Sequence, residues 1–584
     1  MLPRLARLAL VVTAAGAALV GDPAGAATPH MDRVEAAMRK LAPSLEGIAY
    51  QRTHHNRLVG YNGRPDSWLL QTPDCWGQRA CRNPVGIRRF LRTLEADTAR
   101  ARMLVDLTTM VPLPTGRFRD AIVRGLRRAY ASGRRPTIRV HGGCDPPCEP
   151  APGDSPAQAY ADELARAIGR DARVVVSVSR FPPLGTPADE FSLSWNHSKT
   201  ISVDGRVALV GGHNLWSADY IQRYPRAPVT NPVHDVTIRV EGPLTAAIRK
   251  WANALWRHAC AAAPGTGDGS ANGASIAYGP RTPPSCPRTI RPPRAPRKGG
   301  VDVLGFGRFA LHGVKNPGPR PRRPDGPNDP APCPTGLPFW APGRESPDWT
   351  NDSSVFPLYD PRNPAERGLR ALIESARSSV FIAQQDLHGI CEPPSPGIAP
   401  RFDRRLLDVL ARRLLAGVDV RIVISTPGAA ISAEESYSNT TSLSQTADAV
   451  LARTRALAPS PARAQRAFGQ HFQLAAVRFS NSRVWPRAPA QFNKIANHSK
   501  LGMVDNCAIW VGSHNLYPFW LADYSLLIED RRVARTFKRD YADQLWRWSA
   551  RRGPLPGKAC GAIVQQADAS GRSDTRPDEV VGLG

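Results

Sequence analysis

The sequence predicts an α/β protein built from two pseudo-symmetric halves, each a mixed β-sheet flanked by helices, with a single site where the halves meet. Three observations predict it. The segment Asn196-His197-Ser198-Lys199 running to Asp204 returns as Asn497-His498-Ser499-Lys500 running to Asp505. Apolar, β-branched runs alternate with amphipathic helical text in the same order around both copies, the pattern of sheets covered by helices. Between the copies, residues 261–348 are rich in Pro, Gly and Arg, as in Arg281-Thr282-Pro283-Pro284 and Pro317-Gly318-Pro319-Arg320-Pro321; such text joins cores rather than building one.

Along the chain, residues 1–26 read as a secretory signal peptide. Arg4 and Arg7 precede an apolar run over 8–20, and Ala24-Gly25-Ala26 supplies small residues for cleavage. The run is too short for a stable bilayer anchor. No Cys follows it, so a lipoprotein anchor is not expected either, and the mature chain should begin near Ala27 and be secreted.

The N-terminal half is assigned to 27–260, with a helix over 85–100, a strand over 103–107, a helix over 118–132 and a strand over 137–140. The C-terminal half, 349–564, repeats that order at 365–376, 380–383, 404–416 and 418–425. The connector 261–348 is expected to be ordered but irregular, with short strands such as 301–306 docked on a core. Residues 565–584 are polar and expected to be disordered.

Each motif is expected to be a β-hairpin. In the first copy, residues 195–203 lead to Asp204-Gly205, a two-residue turn signal, and 207–210 return. On a strand the side-chain period is two, so His197 and Lys199 should project from one face, as should His498 and Lys500. The return strands end Gly211-Gly212-His213-Asn214 and Gly512-Ser513-His514-Asn515. Asp204 and Asp505 sit where turns favour Asp for local reasons and read as motif supports. His213 and His514 fall on the opposite parity from the Asn residues and read as structural, as does His234.

An imidazole beside an ammonium, twice over, suits attack on a phosphodiester. Lys199 and Lys500 can neutralise the charge that builds on phosphoryl oxygens, and Asn214 and Asn515 can donate amide N–H to them. One imidazole can attack phosphorus while the other, protonated, gives its proton to the leaving alkoxide. The set calls for no metal and no cofactor. Matched carboxylates follow each copy, at Asp235 and Asp523, each opening a strand that ends in Glu241 or Glu529. A carboxylate that accepts the far N–H of an imidazole fixes its tautomer, so both are assigned as orienting groups.

These paired motifs resemble the phospholipase D superfamily, and the flanking text resembles the secreted phospholipases D of actinomycetes. The residues that carry the resemblance are Leu70-Gln71-Thr72-Pro73-Asp74-Cys75-Trp76-Gly77, Trp195-Asn196-His197-Ser198-Lys199, Gln384-Gln385-Asp386-Leu387 and Gly512-Ser513-His514-Asn515-Leu516-Tyr517-Pro518. It implies the phospholipase D fold. It also implies cleavage of the distal phosphodiester of a glycerophospholipid to phosphatidic acid and a free head-group alcohol, with transfer to added alcohols. By resemblance His197 is the nucleophile, His498 is acid and base, and Asp235 and Asp523 each serve the histidine of the opposite half.

Ten cysteines in an exported chain read mostly as disulfides. Cys75 with Cys81 and Cys144 with Cys148 can close local loops. Cys260 with Cys286 and Cys333 with Cys391 match pairings that the resemblance implies. Cys560 either pairs with Cys507 or stays free.

Composition bounds the partners. With 42% hydrophobic residues in 584 the chain can bury large cores, and its length suggests two or more domains. A net charge of +27 draws it to anionic surfaces, unless the arginines simply reflect a GC-rich genome. The expected partners are a phospholipid bilayer or micelle surface and water or an alcohol as acceptor, with the chain a monomer. Trp195, Trp216, Tyr517, Phe519 and Trp520 beside the motifs suggest an apolar rim, and the segment 220–232 is placed to reshape the entrance. The rival readings are a secreted, metal-independent nuclease, which would make nucleic acid the partner, and a non-catalytic lipid-binding relic.

Overall fold

The computed structural model describes residues 28–78, 85–143, 156–169, 171–181, 194–220, 233–262, 274–291, 296–312, 362–389, 401–429, 437–438, 442–482, 484, 493–517, 521–553 and 555. The expected signal peptide, the tail, segment 221–232, Phe519, Trp520 and six of the cysteines (Cys81, Cys144, Cys148, Cys333, Cys391, Cys560) lie outside them.

Twenty strands are described: β1 (Tyr50–Leu58), β2 (Leu69–Thr72), β3 (Leu104–Met110), β4 (Thr137–Gly143), β5 (Arg173–Ser179), β6 (Trp195–Asn196), β7 (Thr200–Val203), β8 (Val207–Gly211), β9 (Val233–Glu241), β10 (Ala274–Tyr278), β11 (Val301–Phe309), β12 (Ser379–Ala383), β13 (His388–Gly389), β14 (Arg401–Phe402), β15 (Asp419–Ile424), β16 (Phe472–Ala476), β17 (Ala496–Asn497), β18 (Leu501–Val504), β19 (Ala508–Gly512) and β20 (Leu521–Glu529). β13 and β14 form a ribbon of their own. The others pair into two mixed sheets.

The first sheet runs β10-β5-β4-β3-β7-β8-β9, with β2 and the end of β1 on the far side of β9. The second runs β16-β15-β12-β18-β19-β20-β11-β1. In both, the strand pairs formed early in the half are parallel and those around the motif hairpin are antiparallel. Parallel neighbours need a crossover, and helices supply it: Gly116–Ala131 between β3 and β4, Pro156–Ile168 between β4 and β5, and Arg404–Leu415 between β12 and β15. Among the described residues no helix is long and apolar enough to cross a membrane.

Alternation along β8 and β9 shows how the halves join. Val207 and Leu209 face the core shared with helices Val85–Thr98 and Gly116–Ala131, whereas Ala208, Val210, Val236, Ile238 and Val240 face the core that continues beneath the second sheet. The motif strands are thus buried on both sides.

Where it is described, the connector holds the strand expected over 301–306. β11 extends to Phe309 and is an interior strand, paired with β1 on one side and β20 on the other. It carries Gly305 and Gly307, although glycine is a poor strand former. Here the bare positions admit rings: a Cβ at Gly305 would come within 2.2 Å of the Tyr524 hydroxyl, and one at Gly307 within 2.5 Å of the Trp251 indole nitrogen. Cys260 and Cys286 form a disulfide, Cα–Cα 5.9 Å, tying helix Leu244–Ala262 to the segment after β10. Cys75 and Cys507 are also disulfide-bonded, with partners outside the described residues.

Candidate active site

The motif is not one continuous strand. Strand geometry stops after Asn196 and resumes at Thr200, and it stops after Asn497 and resumes at Leu501. The cause is local: the Asn196 side chain accepts from the Ser198 N–H (3.2 Å) and hydroxyl (2.7 Å), and Asn497 does the same to Ser499 (3.1 and 2.7 Å). Such bonds compete with the ladder. The amide groups then anchor the break, Asn196 donating to the Thr109 and His141 carbonyls and Asn497 to those of Gln384 and Val423. The hairpin loops are three residues long rather than two, since Val203 pairs with Val207 and Val504 with Ala508.

Each short strand before a motif histidine pairs in parallel with the other half's sheet. Asn196 faces Ala522 and the His197 N–H donates to the Ala522 carbonyl (2.8 Å); Asn497 faces His234 and the His498 N–H donates to the His234 carbonyl (2.7 Å). The next residue along each partner strand is the matched carboxylate. Register alone therefore brings His197 Nδ1 to 2.9 Å from Asp523 Oδ1 and His498 Nδ1 to 2.7 Å from Asp235 Oδ2. The two imidazoles end with ring centroids 6.3 Å apart and planes at 76°.

Lys199 and Lys500 are buried beneath them, each ammonium donating to the carbonyl of its own motif histidine (2.6 Å in both). Asn214 Nδ2 donates to the Tyr437 hydroxyl (3.3 Å) and Asn515 Nδ2 to the Tyr517 hydroxyl (2.7 Å). Their Oδ1 atoms are buried with no partner among the described residues, and the N–H groups expected to meet phosphoryl oxygens are directed to the two tyrosines. Asp204 and Asp505 lie elsewhere, at the hairpin tips. Asp204 accepts the N–H groups of Arg102, Met103 and Leu104, and Asp505 those of Arg377, Ser378 and Ser379.

Burial governs the electrostatics. It lowers His197 to about 3, with Lys199 reinforcing and Asp523 opposing, and holds His498 well below the usual histidine range, with both lysines reinforcing. Burial also lowers Lys500 to about 7 against the pull of Asp235, and raises Asp235 to about 7 against the pull of Lys500. At Asp523 burial pushes up, but Arg308 and His197 overcome it and hold the carboxyl well below its usual range. Asp523 therefore keeps a negative charge, which Arg308 balances.

No family model matches the chain. Over 579 residues it is 36% identical to the protein named phospholipase D from Streptomyces antibioticus, covering 97% of this chain and 96% of that one. The chain belongs to the phospholipase D family. Among solved structures it is similar to phosphatidylserine synthase from Haemophilus influenzae, with TM-score 0.44, 11% identity, and 88% of this chain and 90% of that one covered. It also matches Nuc, a phospholipase D family member from Salmonella typhimurium, with TM-score 0.17, 16% identity, and 31% of this chain and 86% of that one covered.

Three further side chains complete the site of this phospholipase D family member. Tyr437 donates to Asp219 (2.7 Å) and sets its ring edge-on to His498, centroids 4.9 Å apart. Tyr220 donates to Asp235 (2.8 Å), and Arg308 donates to Asp523 through Nε (2.9 Å) and Nη2 (2.6 Å). None has a counterpart in the motif repeat. Ser198 and Ser499 do, and their recurrence was a readable signal of the motif break. His213, between the Thr72 and Thr237 hydroxyls, and His234, between the Thr72 carbonyl and the Tyr541 hydroxyl, serve packing as expected. His514 meets the Ser525 hydroxyl. The aromatic rim shrinks: Trp195 and Trp216 are buried, Trp195 as part of β6 and Trp216 donating to the Pro112 carbonyl.

Proposed function

We propose that the chain is a secreted phospholipase D that cleaves the distal phosphodiester of glycerophospholipids such as phosphatidylcholine, and transfers the phosphatidyl group to alcohols, through a phosphohistidine. The observation that carries this reading is the pair of imidazoles backed by carboxylates of opposite halves, with both lysines below. Because each Nδ1 faces a carboxylate, each Nε2 is the reacting nitrogen. With centroids 6.3 Å apart, the two rings are close enough to act on one phosphorus.

In the first step the bound phosphodiester anion favours uptake of a solvent proton at His498 Nε2; His197 Nε2 then attacks phosphorus, the bond to the head-group oxygen breaks, and the His498 Nε2 proton goes to that oxygen. In the second, His498 takes a proton from water or an alcohol, whose oxygen attacks phosphorus as the P–N bond breaks. Water yields phosphatidic acid and an alcohol yields a new phosphatidyl ester; Lys199 and Lys500 balance the phosphoryl charge throughout. The chain is read as a monomer working at a bilayer or micelle surface.

The test supplies phosphatidylcholine with ethanol, or plasmid DNA, each with chelator. Phosphatidylethanol and choline are the expected products. Nicked DNA without phosphatidylethanol would replace this reading by a nuclease.

A further inference from the structure

The two histidine–carboxylate pairs are built alike but supported differently. β11 sets Arg308 directly opposite Asp523 on β20, and both its Nε and Nη2 donate to Oδ2 of that carboxylate, while Ser513 Oγ donates to Oδ1 (2.7 Å). Its Nη1 reaches Glu366. Arg308 is 1% exposed, so its charge is spent inside the protein rather than on water. On the other side, Asp235 accepts from the neutral Tyr220 hydroxyl at Oδ2 and from the Val236 N–H (2.8 Å) at Oδ1. Among the described residues no guanidinium reaches it.

A carboxylate favours the charged form of the imidazole it touches. A guanidinium on the carboxylate's other oxygen offsets that pull, while at Asp235 the cations that act are Lys500 and Lys199. We propose that Arg308 is a positioning residue for His197: its fork fixes Asp523, and its charge keeps that carboxylate from drawing a proton onto His197. His197 then attacks as a neutral imidazole. The inference rests on reading both histidines as reacting groups. The groups acting on His197 are Lys199, Asp523 and Lys500, and His197 in turn acts on His498 and His514; those acting on Asp523 are Arg308, His197 and His514; Glu366 also feels Arg370 and Asp403.

The experiment uses a short-chain phosphatidylcholine below its micelle concentration and three variants of the full chain. Arg308→Lys keeps the charge and loses the fork. Its kcat is expected to fall about ten- to a hundredfold, the range for losing a support behind a functional histidine, with KM and the ring titration of His197, followed by NMR, unchanged. The double variant Arg308→Met with Glu366→Gln removes the charge together with its counter-charge. Its His197 ring is expected to titrate about one pH unit higher, a shift that a purely structural role would not produce. Wild-type kcat in Arg308→Lys overturns the proposal, and so does an unmoved His197 titration in a folded double variant. If the double variant does not fold, the kcat of Arg308→Lys decides alone. His197→Asn is the separate control: turnover that survives there sinks the reading of His197 as a reacting group, whatever Arg308 does.

Discussion

His498 Nδ1 lies 2.7 Å from Asp235 Oδ2, although the two residues open and close different halves of the site. The contact follows from a two-residue ladder, Ala496 on Val233 and Asn497 on His234. His197 meets Asp523 by the same device, Trp195 on Leu521 and Asn196 on Ala522. Replacing either carboxylate by its amide leaves the shape and loses control of the imidazole tautomer. Asp235→Asn and Asp523→Asn are each expected to lower kcat on the order of a thousandfold, with KM nearly unchanged, in steady-state assays on a soluble substrate.

The pH profile should be narrow. Lys500, held at about 7 by burial, loses its charge as pH rises through that value, and Asp235, pushed up to about 7 by burial, takes a proton as pH falls through it. The two titrate as a pair, so kcat/KM should be bell-shaped with its maximum near neutrality. A bound phosphodiester anion favours the charged ammonium. The basic limb of kcat is therefore expected at higher pH than that of kcat/KM, and a profile flat from pH 6 to 9 would refute the assignment.

Gly212 makes room for a carboxylate. A Cβ there would lie 2.1 Å from Asp235 Oδ1, so Gly212→Ala must displace the group that orients His498. A loss of about ten- to a hundredfold in kcat is expected. The matched position in the second half holds Ser513, whose hydroxyl donates to Asp523. Ser513→Ala removes one hydrogen bond worth about 1 kcal/mol, so a milder loss of roughly fivefold is expected.

Asp204 stabilises without reacting. It accepts three backbone N–H groups at the start of β3, and Asp204→Ala strands them. The expected cost is about 2–4 kcal/mol, read as a lower denaturant midpoint, while kcat per folded molecule stays within about twofold.

The Cys260–Cys286 bridge closes a loop of sequence separation 26. Removing both sulfurs as Cys260→Ala with Cys286→Ala is expected to cost about 3–4 kcal/mol without altering kcat at low temperature. Chemical denaturation of the double variant beside the parent measures it.

Much of the site was legible because it is written twice. Recurrence separated His197, Lys199 and Asn214 from chance groupings, and recurrence of Asp235 as Asp523 identified the carboxylates. What failed was local geometry: the run through His197 read as unbroken strand because the capture of the Ser198 N–H by Asn196 leaves no mark in apolar periodicity. Arg308, Tyr220 and Tyr437 were illegible for another reason. Each is unique to one half, and each reaches the site only through tertiary contacts that no spacing encodes. β11 was underestimated only at its end: it runs past residue 306 to Phe309, with Gly305 and Gly307 as bare positions beside Tyr524 and Trp251.

The strand swap at β6 and β17 bears on how such a chain can be cut or rearranged. If the gene were divided between the halves and the fragments made apart, each would retain most of its own sheet yet lack the rung on which its histidine rests. Neither fragment should turn over substrate, and mixing them should restore activity with second-order kinetics. Reassembly would then be its own reporter, since colour from a cleaved substrate would appear only where the severed pieces had found each other.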